Sequence, residues 1–121
     1  MGTWGEGVFD NDAAADFQAD IEELSDKDAE AELLKEIQSA LHDPDDVCVE
    51  DTETLLAAAA LLQDLCERTS KRPPASLDRA AFRTLMLDVY DREIDGLEPS
   101  PGFKEARRAV MQETLDRFAA F

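Results

Sequence analysis

Basic residues are scarce in this chain of 121 residues: 12 lysines and arginines face 29 aspartates and glutamates, for a net charge of −17 at pH 7. Binding to nucleic acid or to an anionic membrane surface is thereby disfavoured, because phosphate contacts depend on Lys and Arg displacing counterions. Long apolar runs are missing as well. No stretch approaches the roughly 20 residues that span a bilayer. The opening residues lack both a basic segment and an apolar segment, so they do not read as a secretory signal, and Glu6 stands where a myristoylation site wants Ser or Thr. A cytoplasmic location is expected. Cys48 and Cys66 are the only cysteines, too few and too far apart for a zinc knuckle or a CxxC pair, and both are expected reduced. With His42 the lone histidine and no serine in a nucleophile turn, a Ser-His-Asp site finds no footing. His42 reads instead as a favourable charge at a helix C-terminus. Sustained period-two alternation is absent too, which leaves no strand pattern.

Apolar spacing of three and four residues is plentiful. It predicts an all-α fold: one domain, residues 1–121, forming a bundle of about five helices behind a Gly-rich, non-helical lead-in at 1–10, with loops at 70–76 and 96–100. The first helix, capped by Asn11 or its aspartate neighbours, runs to about Leu24 with Ala13, Phe17, Ile21 and Leu24 on its apolar face. Ser25 caps a second, whose face is Leu33, Leu34, Ile37, Ala40 and Leu41, and Asp43-Pro44 stops it. A third begins near Asp51. Its run Leu55 to Leu62 is apolar on every side, the mark of a central, buried helix. Ser76 is expected to cap a fourth helix, ended by Gly96. Ser100 and Pro101 open a fifth, carrying Phe103, Ala106, Val110, Met111, Leu115 and Phe118.

Charge is unevenly spread. Residues 1–50 hold 16 acidic and 2 basic side chains, whereas residues 71–121 hold nine of each. An acidic half of this kind attracts and steers cationic surfaces; the same charge also keeps a protein soluble.

Several short patterns invite chemistry. Gly5-Glu6-Gly7 superficially opens a phosphate loop, but no strand precedes it and Asp10 takes the third glycine's place. Asp10, Asp12 and Asp16 are the candidate metal ligands, as hard oxygen donors close in sequence. They do not meet the EF-hand pattern, which would need glycine and glutamate where Ala15 and Ile21 stand. Capping and turn formation use the same residue types. Acidic residues are too abundant for any one carboxylate pair to stand out, so no catalytic residue is assigned and no cofactor is expected.

The opening itself is the most specific feature. Gly2, Trp4, Gly5, Gly7, Phe9, Asn11 and Asp12 form a structural motif in which Trp4 and Phe9 read as plugs into the helical body, Phe9 as a staple onto the first helix. The run Gly2-Thr3-Trp4-Gly5-Glu6-Gly7-Val8-Phe9-Asp10-Asn11-Asp12-Ala13, with Asp16 and Phe17, resembles the start of the DUF4259 family of small bacterial proteins. The alanine-rich helix from Leu55 to Leu65 looks like that family's middle segment. Phe17 departs from it, since tryptophan is frequent there, and residues 70–121 contribute little. The resemblance implies a bacterial, cytosolic, helical protein and brings no catalytic residues.

Two functional expectations follow. The first is a non-catalytic, acidic interaction module that meets a basic protein partner through Asp20, Glu23, Glu30 and Glu36, in its concrete form an immunity- or antitoxin-like protein. The alternative is a divalent-metal or small-ligand-binding protein, enzyme included, that uses the Asp10-Asn11-Asp12 turn. Self-association of the neutral part of one chain with the acidic part of another is a third arrangement.

Overall fold

Helices in this protein begin where a short polar side chain can take up their first free backbone N–H groups. The computed structural model describes Gly5 and residues 7–121; Gly2, Trp4 and Glu6 lie outside the described residues, and with them the expected anchoring of Trp4. Five α-helices follow one another: α1 Asp12–Glu22, α2 Asp26–His42, α3 Asp51–Thr69, α4 Arg79–Glu93 and α5 Pro101–Ala120. Short 3₁₀ turns occupy Pro44–Asp46 and Ile94–Leu97, and no strand occurs among the described residues. The fold is an all-α bundle.

Side chains cap four of the five starts. Asn11 Oδ1 accepts from Ala14 N at 2.8 Å, and Asp78 Oδ1 from Ala81 N at 2.9 Å. Ser25 Oγ and Ser100 Oγ do the same more loosely for α2 and α5, the latter with Pro101 as first helical residue. Such a cap contributes about 1 kcal/mol each. The start of α3 has no cap from its own N-cap residue. There Asp51 Oδ2 accepts from Cys48 N, and Glu93, arriving from α4, accepts from Val49 N at 3.1 Å.

The core is organised around α3, which packs against α1, α2, α4 and α5. Leu56, Ala57, Ala58, Ala59 and Leu62 are fully buried. With only methyl groups at three successive positions, neighbouring backbones can approach this helix from several sides. Across it, α4 and α5 pair with the start of one beside the end of the other. Phe82 and Phe118 meet edge to face at 6.0 Å. Arg79 Nη1, in the first turn of α4, donates to the carbonyls of Phe118 and Phe121 at 2.7 and 2.6 Å. A cation thus sits on the negative end of α5.

The structure moves several expected details. Ala14 rather than Ala13 is the buried small residue of α1. Leu24 leaves the apolar face because α1 stops at Glu22, and it is 39% exposed. Asp78 replaces Ser76 as the cap of α4, since Pro74 accepts from Leu77 N and carries the turn two residues further. Gly96 does not terminate α4: it falls in the 3₁₀ turn, where the segment read as a loop from 96 begins. The left-handed residues after a helix or 3₁₀ turn are Ser70 (φ 58°) and Glu98 (φ 51°). Val8 packs against the core, while Phe9 is half-buried.

Candidate functional site

Two regions are built from the residues singled out by sequence: a tight turn ahead of α1, and the acidic exterior of α1 and α2.

In the turn, the Asp10 carboxylate folds back over the glycines. Gly7 N donates to Asp10 Oδ2 at 3.1 Å, and Asp10 N donates to Gly7 O at the same distance. A Cβ placed on Gly5 or Gly7 would meet Asp10 Oδ2 at 2.6 or 2.7 Å. Both positions have φ in the ordinary range, so glycine is required there by close approach and not by backbone conformation. Asn11, 2% exposed, spends its amide oxygen on capping α1.

The same Gly7 carbonyl receives a second donor from the far end of the chain. Arg107 Nη1, on α5, donates to it at 2.8 Å. A carbonyl has two lone pairs, and both are used here. Arg107 is 5% exposed. Burial lowers its pKa, while Glu53, Tyr90 and Asp10 hold the charged form. Burial conversely raises Glu53, against the attraction of Arg107, and Glu50 and Asp12 push it the same way. Tyr90 donates its hydroxyl to Lys104 O at 2.8 Å. Glu53, Tyr90 and Arg107 together line a cleft of about 360 Å³ whose other walls include Val49, Ile94 and Phe103.

Sequence reasoning missed Arg107. The signal was present: Phe103, Arg107, Met111, Leu115 and Phe118 are spaced four, four, four and three apart, so an arginine stands inside the apolar stripe of α5. A charge on a buried stripe is the informative exception.

The proposed metal ligands are placed differently from one another. Asp10 is turned onto Gly7 N, whereas Asp12 and Asp16 are exposed on α1. Among the described residues, no three His, Cys, Asp or Glu side chains gather in a geometry suited to a metal ion. Cys48 is half-buried and Cys66 buried, and both are free.

A family model described as a domain of unknown function (DUF4259) matches residues 2–120. The chain belongs to the DUF4259 family. No curated protein and no solved structure matches it. In this DUF4259 chain the described part of the opening motif is tied to its own fold: Gly5 and Gly7 admit Asp10, Asn11 caps α1, and Arg107 holds the turn from behind.

The acidic exterior is a separate matter. Asp20 and Glu23 are exposed, and Glu30 and Glu36 are partly so. Of all the carboxylates on α1 and α2, Asp26 alone forms an ion pair among the described residues, with Arg68 at 3.2 Å. The remaining ion pairs among those residues lie within α4, α5 and the turn between them: Arg83–Asp116, Arg92–Asp88, Arg92–Glu93, Lys104–Asp95 and Arg108–Asp91. Four of the nine basic residues in 71–121 pair with acids of that same stretch, and Arg79 and Arg107 donate to backbone carbonyls. Apart from Asp26, the acids of α1 and α2 have no such neighbour among the described residues.

Proposed function

We propose that this DUF4259 chain is a non-catalytic helical module that binds a basic protein partner through the acidic exterior of α1 and α2. The supporting observation is the segregation of ion pairs: five of the six among the described residues lie on α4, α5 and the turn between them, whereas the carboxylates of the first two helices, Asp26 apart, have none. Such a field speeds encounter with a cationic surface and rejects anionic ones. An immunity- or antitoxin-like protein, which blocks a cationic toxin or nuclease, is the concrete form of this reading. No helix among the described residues is long and apolar enough to cross a membrane.

The test is retention of partners from native lysate by the wild type and by a variant with Asp20, Glu23, Glu30 and Glu36 all changed to Lys. A stoichiometric basic protein should bind the wild type, wash off as salt rises, and fail to bind the variant. Equal retention by both proteins removes the reading.

A further inference from the structure

Helices α1 and α2 both rest chiefly on α3 and touch each other little. A groove of about 440 Å³ therefore opens between them, floored by α3. Ile21, Leu33 and Leu65 lie buried beneath it, so the apolar surface open to the groove comes from Leu24 and the half-buried Leu61. At its mouth stands Leu24, one of two large apolar side chains left exposed among the described residues. Three carboxylates and one cation border this patch: Glu22, Asp26, Asp64 and Arg68. Asp26 is bridged to Arg68, with both side chains more than half exposed; neither Glu22 nor Asp64 has an ion pair among the described residues.

A small apolar patch at Leu24 and Leu61 within a net anionic rim has a definite complement. A lysine or arginine lays its methylene stem along apolar surface and keeps its charged head where it can meet carboxylates. We infer that the α1–α2–α3 groove is the anchor pocket of the interface. Its occupant is an amphipathic basic segment of the partner, with an apolar side chain seated beside Leu24 and Leu61 and a cationic head between Glu22 and Asp64. The inference rests on the basic-partner reading and sharpens it, since it moves the energetic centre from the outer face at Asp20 and Glu23 to a bounded pocket. The volume suits a few side chains, the scale on which interface anchors are built.

Two pairs of substitutions with the same charge change separate the pocket from the general field. Glu22→Lys with Asp64→Lys alters the groove, and Asp20→Lys with Glu23→Lys alters α1 outside it. All four positions are exposed, and unchanged helical circular dichroism confirms that each variant folds. The probes are two labelled synthetic peptides of equal charge, read by fluorescence anisotropy at physiological salt. One is an amphipathic helix of leucine and arginine; in the other, serine replaces every leucine. The amphipathic peptide should bind the wild type at least tenfold more tightly than the serine peptide. The groove pair should weaken it at least tenfold more than the outer pair. Equal losses from the two pairs would overturn the pocket while leaving a diffuse basic-partner surface intact. Failure of every basic peptide to bind, even at low salt, would overturn the basic-partner reading and the pocket with it. A wild-type dimer that the groove pair dissolves would make a second copy the occupant and overturn the assignment of a basic segment.

Discussion

Replacing Gly7 by alanine should destabilise the protein, and removing Asp10 should reverse the sign of that effect. The new Cβ would lie 2.7 Å from Asp10 Oδ2 and 3.1 Å from its Cγ, and the next neighbour is the other carboxylate oxygen. These three nearest atoms among the described residues belong to one side chain, so the carboxylate must swing away and give up the hydrogen bond from Gly7 N. A hydrogen bond to a charged group contributes about 1.5–3 kcal/mol, and the half-buried position of Asp10 places this one at the lower end. For a domain of this length, that corresponds to a drop in Tm of roughly 5–10 °C. Asp10→Ala alone loses the same bond and should cost about as much. Once the carboxylate is gone, no other atom of the described residues, chain neighbours aside, lies within 3.6 Å of the methyl group, and φ at residue 7 is not in the left-handed region. Alanine then merely restricts the unfolded chain, which stabilises by about 0.4–1 kcal/mol. The double variant should melt at or slightly above Asp10→Ala. The assay is a double-mutant cycle by thermal and urea unfolding. Additive losses would refute the reasoning, since they would mean that glycine is needed at residue 7 for a reason other than Asp10.

Two further outcomes follow from local geometry. Ser70 closes α3 in the left-handed region at φ 58° and is exposed; Ser70→Gly should remove that backbone cost and stabilise by about 0.5–1 kcal/mol, read as a rise in the urea midpoint at unchanged slope. Arg108 grips Asp91 with two hydrogen bonds at 2.8 and 2.9 Å and holds its carboxyl below the usual value of 3.8. A depressed acid adds stability above its unfolded pKa and loses it as pH falls through the folded one. Asp91→Asn should therefore lower stability at neutral pH by no more than about 0.5 kcal/mol for so exposed a pair. That difference should fade as pH drops below 3.8, measured by thermal melts across the acid range.

The fold was legible to the extent that it depends on period and capping. Leu55 to Leu62 announced a buried central helix because no polar side interrupts it, and Ser25 and Ser100 announced helix starts through the residue types that follow them. Boundaries failed where two positions offer the same chemistry. Ser76 and Asp78 are both good caps, and only the turn closed by Pro74 and Leu77 selects the second. Gly96 failed as a helix stop, whereas Ser70 takes the left-handed position after α3 without being glycine, since a helix end selects a left-handed backbone position and glycine merely makes one cheap. The site was less legible. The groove is made by three helices distant in sequence, and no local pattern assembles Glu22, Leu24 and Asp64. Arg107 was readable in principle, as a charge within an apolar stripe, but its acceptor lies 100 positions away.

That long-range bond separates two kinds of importance. The glycines, Asp10, Asn11 and Arg107 spend their hydrogen-bonding capacity at least partly on one another and on the start of α1. The described part of the motif that marks the family is therefore a clamp joining the lead-in to α5. Opening that contact leaves the Gly7 carbonyl with Asp10 N as a donor but takes an acceptor from the buried guanidinium, and a hydrogen bond from a charged group contributes about 1.5–3 kcal/mol. Lead-in and α5 should therefore come apart together, as one cooperative unit. The exterior of α1 and α2 carries no such internal obligation: its carboxylates, Asp26 apart, contribute no ion pair to the described fold. The described opening residues are thus engaged in the clamp, while the exposed carboxylates lie on the first two helices. Substitutions in the two places should separate cleanly, those in the clamp lowering stability and those around the groove lowering affinity.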